Sequence, residues 1–108
     1  MLIKTTIGKA YIMTRLEILE ILKEYKKENA EKYGITNLGL FGSFSKDEGK
    51  DDSDIDIVIE TDEPDLFKLV HIKDELEKLL QKTVDIVRNH EKMNPYLKKH
   101  IEKDAIYV

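Results

Sequence analysis

The run Ile-Asp-Ile-Val-Ile at positions 55–59 constrains the fold of this chain more than any other segment. β-Branched residues favour extended backbone, and side chains two positions apart in a strand point to the same face. The isoleucines therefore form the core face of a predicted strand over residues 53–60. Asp54 and Asp56 share the opposite face, where carboxylates about 6–7 Å apart repel one another. Stability alone gives little reason for this pair, and the plain alternative is a solvent-exposed strand face.

A second alternating run, Val-Asp-Ile-Val, lies in a predicted strand over residues 83–88. If its apolar residues join the isoleucines in the core, Asp85 emerges on the face of Asp54 and Asp56. Hard oxygen ligands suit Mg²⁺, and three carboxylates on one sheet face are typical of a two-metal site for phosphoryl or nucleotidyl transfer. We therefore take the three aspartates as the candidate catalytic and metal-ligating residues.

Gly42 and Ser43 follow a predicted strand over residues 35–41 and open a short turn. Backbone N–H groups at such a turn can face an anion, and a glycine allows a phosphate to approach closely. The Ser43 hydroxyl can donate a hydrogen bond, and Lys46 adds a positive charge one turn later. We expect Gly42, Ser43 and Lys46 to bind nucleotide, although a Gly-Ser pair alone is most often a simple turn.

A calcium-binding loop is a competing interpretation of the same segment. Asp52, Asp54, Asp56 and Glu63 fall at positions 1, 3, 5 and 12 of an EF-hand-like spacing. Position 6 is Ile57, however, where the sharp turn of such a loop needs glycine. The β-branched run also favours a strand, so this interpretation receives little weight.

The first predicted helix begins at a Thr-x-x-Glu capping box formed by Thr14 and Glu17. Met13 and Ile18 occupy the positions of a hydrophobic staple across that cap. The helix is expected to end near Tyr33, with Gly34 as its left-handed stop.

Two further helices are predicted, the first with Pro64 in its first turn and its end near Gln81. Pro95 begins the last helix, and residues 105–108 form an edge strand or a packed tail. The apolar stripe of the middle helix comprises Leu66, Phe67, Leu69, Val70, Ile72, Leu76, Leu79 and Leu80. Tyr96, Leu97 and Ile101 are assigned to the inner side of the last helix, and Tyr25, Tyr33 and Tyr96 are expected to be packing residues. This order predicts a small sheet covered by helices.

Length and composition exclude several classes of protein. The 108 residues correspond to one domain, the net charge of −4 disfavours non-specific nucleic-acid binding, and the absence of cysteine excludes disulfides and thiolate metal sites. No apolar run approaches the ~20 residues that cross a membrane, and no secretory signal is recognisable. We expect a cytoplasmic protein without a membrane partner. Residues 1–13 are expected to be an N-terminal extension of uncertain nativeness, and residues 14–108 the domain.

The pattern G-S-x₁₀-D-x-D at residues 42–56, followed by an aspartate on a later strand, resembles the signature of DNA polymerase β-like nucleotidyltransferases. The segments LFGSFSKDEGKDDSDIDIVIE, VDIV and IEKDAIYV more closely resemble the minimal nucleotidyltransferase family, which includes the MntA-type antitoxins of HEPN-domain toxins. The resemblance covers about residues 14–108. Relatives commonly carry Arg-Gly where this chain has Lys46-Asp47.

The resemblance implies an α+β fold, a small mixed β-sheet flanked by helices like the polymerase β palm. It also implies two Mg²⁺ ions and ATP, with the triphosphate held by Gly42 and Ser43, and Asp85 completing the metal site that activates the acceptor hydroxyl. Its leading functional expectation is transfer of AMP to a tyrosine of a HEPN-domain toxin. A nucleotidyltransferase for a small-molecule hydroxyl and a non-catalytic binding module remain alternatives.

Overall fold

The computed structural model describes residues 13–108, which form three α-helices, one short 3₁₀-helix and a four-stranded mixed sheet. The predicted α+β architecture is confirmed. In chain order the elements are α1 (Arg15–Tyr33), β1 (Ile35–Phe41), a 3₁₀-helix (Ser43–Lys46), β2 (Ile55–Thr61), α2 (Leu66–Leu80), β3 (Val84–Arg88), α3 (Pro95–Asp104) and β4 (Ile106–Tyr107). Of the predicted N-terminal extension, only Met13 lies within the described residues, and it is buried.

The sheet has the strand order β3-β2-β1-β4. β1 pairs antiparallel with both β2 and β4, whereas β2 and β3 run parallel and are connected through α2. The tail at residues 105–108 therefore contributes an edge strand. The sequence had left open whether it forms an edge strand or a packed tail.

α1 begins and ends where the sequence predicts. The Thr14 hydroxyl accepts from the Glu17 N–H at 3.2 Å, while the Thr14 N–H donates to the Glu17 carboxylate at 2.9 Å. Met13 and Ile18 lie in the same buried cluster, consistent with the staple. At the other end Gly34 adopts φ 65°, and its N–H donates to the Ala30 carbonyl.

The predicted start of α2 is wrong, because the helix begins at Leu66, two residues after Pro64. Asp65 caps the helix, since its carboxylate accepts from the backbone N–H groups of Phe67 and Lys68. A cap residue needs extended backbone, which Asp65 adopts at φ −141°, so Pro64 remains outside the helix.

The main core lies between one face of the sheet and helices α1 and α2. The three isoleucines of β2 are fully buried there, as predicted, and Tyr25 and Tyr33 of α1 are buried in the same cluster. The wide apolar stripe assigned to α2 is wrong in part, because a helix resting on a flat sheet buries only one narrow face. Ile72, Leu76 and Leu80 are buried, whereas Leu66, Phe67, Val70 and Leu79 are exposed.

α3 lies on the opposite face of the sheet from α1 and α2. Its Ile101 packs with Phe41, Val58 and Met93 in a second, smaller cluster, and Val58 points away from the main core because it follows Ile57 in the strand. The prediction that Tyr96 packs inward is wrong, since its side chain is 80% exposed. Among helices within residues 13–108, none is long and apolar enough to cross a membrane.

Candidate active site

The three candidate aspartates come from two neighbouring strands. Asp56 lies within β2 and Asp85 within β3, and the two are direct partners in the parallel ladder. Their side chains therefore lie on one face, separated by about the 4.8 Å distance between adjacent strands. Asp54 was predicted to lie inside β2, but that strand begins at Ile55, so Asp54 immediately precedes it.

The electrostatics of Asp56 confirm that negative charge is concentrated at this point. The pKa of Asp56 is raised from 3.8 to about 6, mainly by burial and also by the neighbouring charges of Asp85 and Asp54. A carboxylate that is partly buried beside two others is stabilised by a cation placed among them.

The donor set fits Mg²⁺, because three carboxylates supply hard oxygen ligands and the charge that a divalent cation compensates. Within residues 13–108, no three acidic or histidine side chains are already gathered around a single metal-sized point. The assignment of Asp54, Asp56 and Asp85 as metal ligands therefore stays a prediction.

Gly42 is placed directly against the Asp56 carboxylate. A Cβ built on Gly42 would overlap that carboxylate, with its Cγ at 2.9 Å. The backbone of Gly42 also adopts φ 73° and ψ −155°, a region almost confined to glycine. Both constraints require glycine at this position. The contact between Gly42 and Asp56 joins the Gly-Ser part of the sequence motif to its Asp-x-Asp part.

The turn that follows Gly42 is held by its own side chains. Ser45 is buried, and its hydroxyl donates to the Gly42 carbonyl at 2.6 Å while its N–H donates to the same oxygen at 3.2 Å. Phe44 is buried against Gly49, and the Lys82 ammonium lies 5.7 Å from the Phe44 ring centroid. Ser43 begins this turn beside Gly42, at the position expected for a phosphate-binding hydroxyl.

Lys46 is directed towards the end of α3. Its ammonium pairs with the Asp104 carboxylate at 3.8 Å, and Asp104 is largely buried whereas Lys46 is half exposed. Moving the Lys46 ammonium to another partner would leave the largely buried Asp104 carboxylate without this ion pair. The role of Lys46 towards a phosphate stays a prediction.

The aspartate face is covered at one end only. α3 and the second cluster bury Phe41 and Val58, and beyond Val58 the Glu60 carboxylate accepts from the Asn89 amide at 3.1 Å. Asp54 and Asp85, at the other end, are exposed. The acidic end of this face is therefore accessible to a ligand, while α3 fixes the strands behind it.

Sequence reasoning missed the side chains that anchor the turn from outside. Arg15, the first residue of α1, hydrogen-bonds the Ser45 carbonyl and pairs with Asp47. Asp47 has φ 57°, a left-handed conformation that glycine adopts without strain. The departure from Arg-Gly at Lys46-Asp47 was the one available signal, but Arg15 is far away in sequence and gave none.

Comparison with known proteins identifies the family to which this chain belongs. The profile of the nucleotidyltransferase domain family matches residues 22–108, and the chain belongs to that family. The enzymes of this class transfer a nucleoside monophosphate, and the chain is therefore a nucleotidyltransferase.

Two relatives resemble this chain over nearly their whole length. A candidate protein adenylyltransferase of Methanocaldococcus jannaschii is 44% identical over 96 residues, covering 88% of this chain and 98% of the relative. The protein adenylyltransferase MntA of Thermococcus cleftensis is 36% identical over 98 residues, covering 90% of this chain and 98% of the relative. The chain is thus similar to small, single-domain members of the family.

Solved structures share the fold. A candidate minimal nucleotidyltransferase is 29% identical with a TM-score of 0.71, covering 87% of this chain and 95% of the other. An MNT antitoxin in complex with a tri-AMPylated HEPN toxin of Shewanella oneidensis gives a TM-score of 0.64 at 18% identity, covering 87% and 71%. At that identity the second similarity concerns the fold alone.

Proposed function

We propose that this chain is a Mg²⁺-dependent protein adenylyltransferase that transfers AMP from ATP to a tyrosine of a HEPN-domain toxin and thereby acts as its antitoxin. The observation that carries the catalytic part is the pairing of Asp56 with Asp85 in the parallel ladder, directly beside Gly42. The names of the relatives support a protein acceptor. The complex of an MNT antitoxin with an AMPylated HEPN toxin supports the identity of the partner.

Each part of the site has a role in this reaction. Gly42 and Ser43 hold the triphosphate, and the absence of a side chain at Gly42 lets this turn lie directly against Asp56. Asp54, Asp56 and Asp85 hold the metal ions. When bound, Mg²⁺ lowers the pKa of the acceptor hydroxyl and stabilises charge on the leaving pyrophosphate. The bond between the tyrosine oxygen and the α-phosphorus forms while the bond from that phosphorus to the α–β bridging oxygen breaks, so that pyrophosphate leaves and the phenolic proton passes to solvent.

The open end of the aspartate face favours an acceptor supplied by another protein. Asp54 and Asp85 are exposed, and the strands behind them are covered by α3. A tyrosine presented on a partner can reach such a face, with the partner completing the enclosure.

Transfer of label tests the proposal. The chain is incubated with α-³²P-labelled ATP, Mg²⁺ and a HEPN-domain protein encoded beside it, and label is followed to the partner and mapped to a residue. We expect label on a partner tyrosine and loss of its RNase activity. Asp85→Asn and Asp54→Asn should abolish transfer, whereas Asp52→Asn, which removes an exposed charge from the same segment, should retain it.

The alternatives predict different results. Label on a small alcohol but not on the partner would show an enzyme for a small-molecule hydroxyl. Neutralisation of the partner by Asp54→Asn or Asp85→Asn, without label transfer, would show a non-catalytic binding module.

A further inference from the structure

We propose that Arg15 and Asp47 form a positioning pair that holds the Gly42–Ser43 turn in the shape that accepts the triphosphate of a nucleotide. The inference rests on the proposed function for the identity of the ligand. Neither residue is among the candidate metal ligands or the candidate nucleotide-binding residues.

Asp47 ends the 3₁₀-helix in an unfavourable conformation. Its φ of 57° lies in the left-handed region, which side chains other than those of glycine, asparagine and aspartate rarely adopt. Its N–H donates to the Phe44 carbonyl at 3.3 Å, which closes the turn. The conformation is retained because contacts outside the turn hold the Asp47 side chain.

Arg15 provides those contacts from the start of α1. Its backbone N–H donates to Asp47 Oδ1 at 3.3 Å, and its Nη2 lies 3.5 Å from Asp47 Oδ2. Both oxygens of the carboxylate are therefore engaged. The Arg15 Nη1 donates to the Ser45 carbonyl at 3.2 Å, so that one guanidinium joins two residues of the turn.

Ser45 transmits this restraint to Gly42. Its side chain is 4% exposed, and its hydroxyl and N–H both donate to the Gly42 carbonyl. Gly42 in turn lies against the Asp56 carboxylate. A continuous set of contacts thus runs from α1 through the turn to the candidate catalytic strand.

The pair also removes an electrostatic conflict. Asp47 lies one turn after Ser43, so its free carboxylate would repel a triphosphate bound at Gly42 and Ser43. Pairing with Arg15 and the first N–H of α1 compensates that charge and directs it away from the turn. Arg15 therefore compensates the negative charge that Asp47 places near the proposed triphosphate.

A double-mutant cycle on nucleotide affinity tests the pair. The probe is α,β-methylene-ATP with Mg²⁺, whose α–β bridge is not cleaved, titrated calorimetrically into the whole chain without any partner. We expect Arg15→Ala to raise Kd by about tenfold in the wild-type background and less than about twofold in the Asp47→Gly background. Arg15→Lys, which keeps the charge but cannot bridge both partners, should fall between.

Arg88→Ala is the matched control, because it removes the other arginine of the chain, which lies at the end of β3 and bonds Thr61. It should leave Kd unchanged. Equal effects of Arg15→Ala in both backgrounds, or none in either, would overturn the positioning role while leaving the transfer reaction intact. Failure of the wild-type chain to bind the probe would overturn the proposed function and this inference together.

Discussion

The carboxylate of Asp56 occupies the space that any side chain at position 42 would need. Gly42 immediately follows β1 and Asp56 lies in β2, so their contact defines how closely the turn approaches the acidic face. The steric requirement at Gly42 and the electrostatic environment of Asp56 are therefore properties of a single point in the fold, and they can be tested separately.

Gly42→Ala should lower the free energy of unfolding by about 2–4 kcal/mol, since it adds both an overlap with Asp56 and backbone strain. In an Asp56→Ala background the overlap is absent and only the strain remains, so the loss should be smaller by at least about 1 kcal/mol. Urea denaturation of the four variants measures this coupling. Equal losses in the two backgrounds would contradict the contact.

Metal-free protein should lose stability as pH rises from about 4 to about 7. The pKa of Asp56 is raised from 3.8 to about 6 in the folded chain, so that between these values the native state binds more protons than the unfolded state. Asp56→Asn should remove this slope and be more stable by about 1–2 kcal/mol above pH 6, after allowance for solvent screening. Denaturation in EDTA across this range measures it. Asp52→Asn is the control, and parallel profiles for wild type and Asp56→Asn would count against the assignment.

Magnesium should stabilise the folded chain. We expect saturating MgCl₂ to raise Tm by about 5 °C, because a cation bound only by the native state shifts the unfolding equilibrium and relieves the repulsion around Asp56. Sodium chloride at equal ionic strength should have a much smaller effect. Asp85→Asn should lose most of the magnesium response and Asp52→Asn should keep it; the same response in both would show that the ion binds elsewhere.

Two apolar residues of α2 should differ sharply in their contribution to stability. Ile72 is fully buried, so Ile72→Ala should cost about 3 kcal/mol, whereas Phe67 is 82% exposed and Phe67→Ala should cost less than about 0.5 kcal/mol. Urea denaturation distinguishes the two. A large cost at Phe67 would mean that this side chain is covered in solution.

Local signals in the sequence were sufficient for much of this fold. The alternation at 55–59 identified the core face of β2, and the Thr14–Glu17 box and Gly34 located both ends of α1, because each depends on residues within one or two turns. The width of the buried face of α2 depends instead on the surface against which it rests. Periodicity alone could not separate Leu66 and Phe67 from Ile72.

In the candidate site, too, local sequence signals predicted some features, whereas contacts between distant elements could not be predicted. Asp54, Asp56 and Asp85 could be assigned to one face from strand alternation, once the two strands were taken as neighbours. The attachment of Asp47 to Arg15 and of Lys46 to Asp104 could not, since these pairs join residues distant in the chain through the positions of α1 and α3. Ion pairs between residues distant in the chain produce no periodic sequence pattern from which they could be predicted.

The parallel pairing of β2 with β3 also determines when the acidic face can exist during folding. Asp56 and Asp85 lie on opposite sides of the α2 crossover, and they become neighbours only after that long connection has closed. Non-local pairings of this kind form slowly because loop-closure entropy must be overcome first. A hairpin of β1 and β2 can bring Gly42 to Asp56 earlier, but the third carboxylate arrives with β3. The three aspartates can therefore share one face only after the crossover has closed, and the nascent chain cannot form this face before β3 has been made.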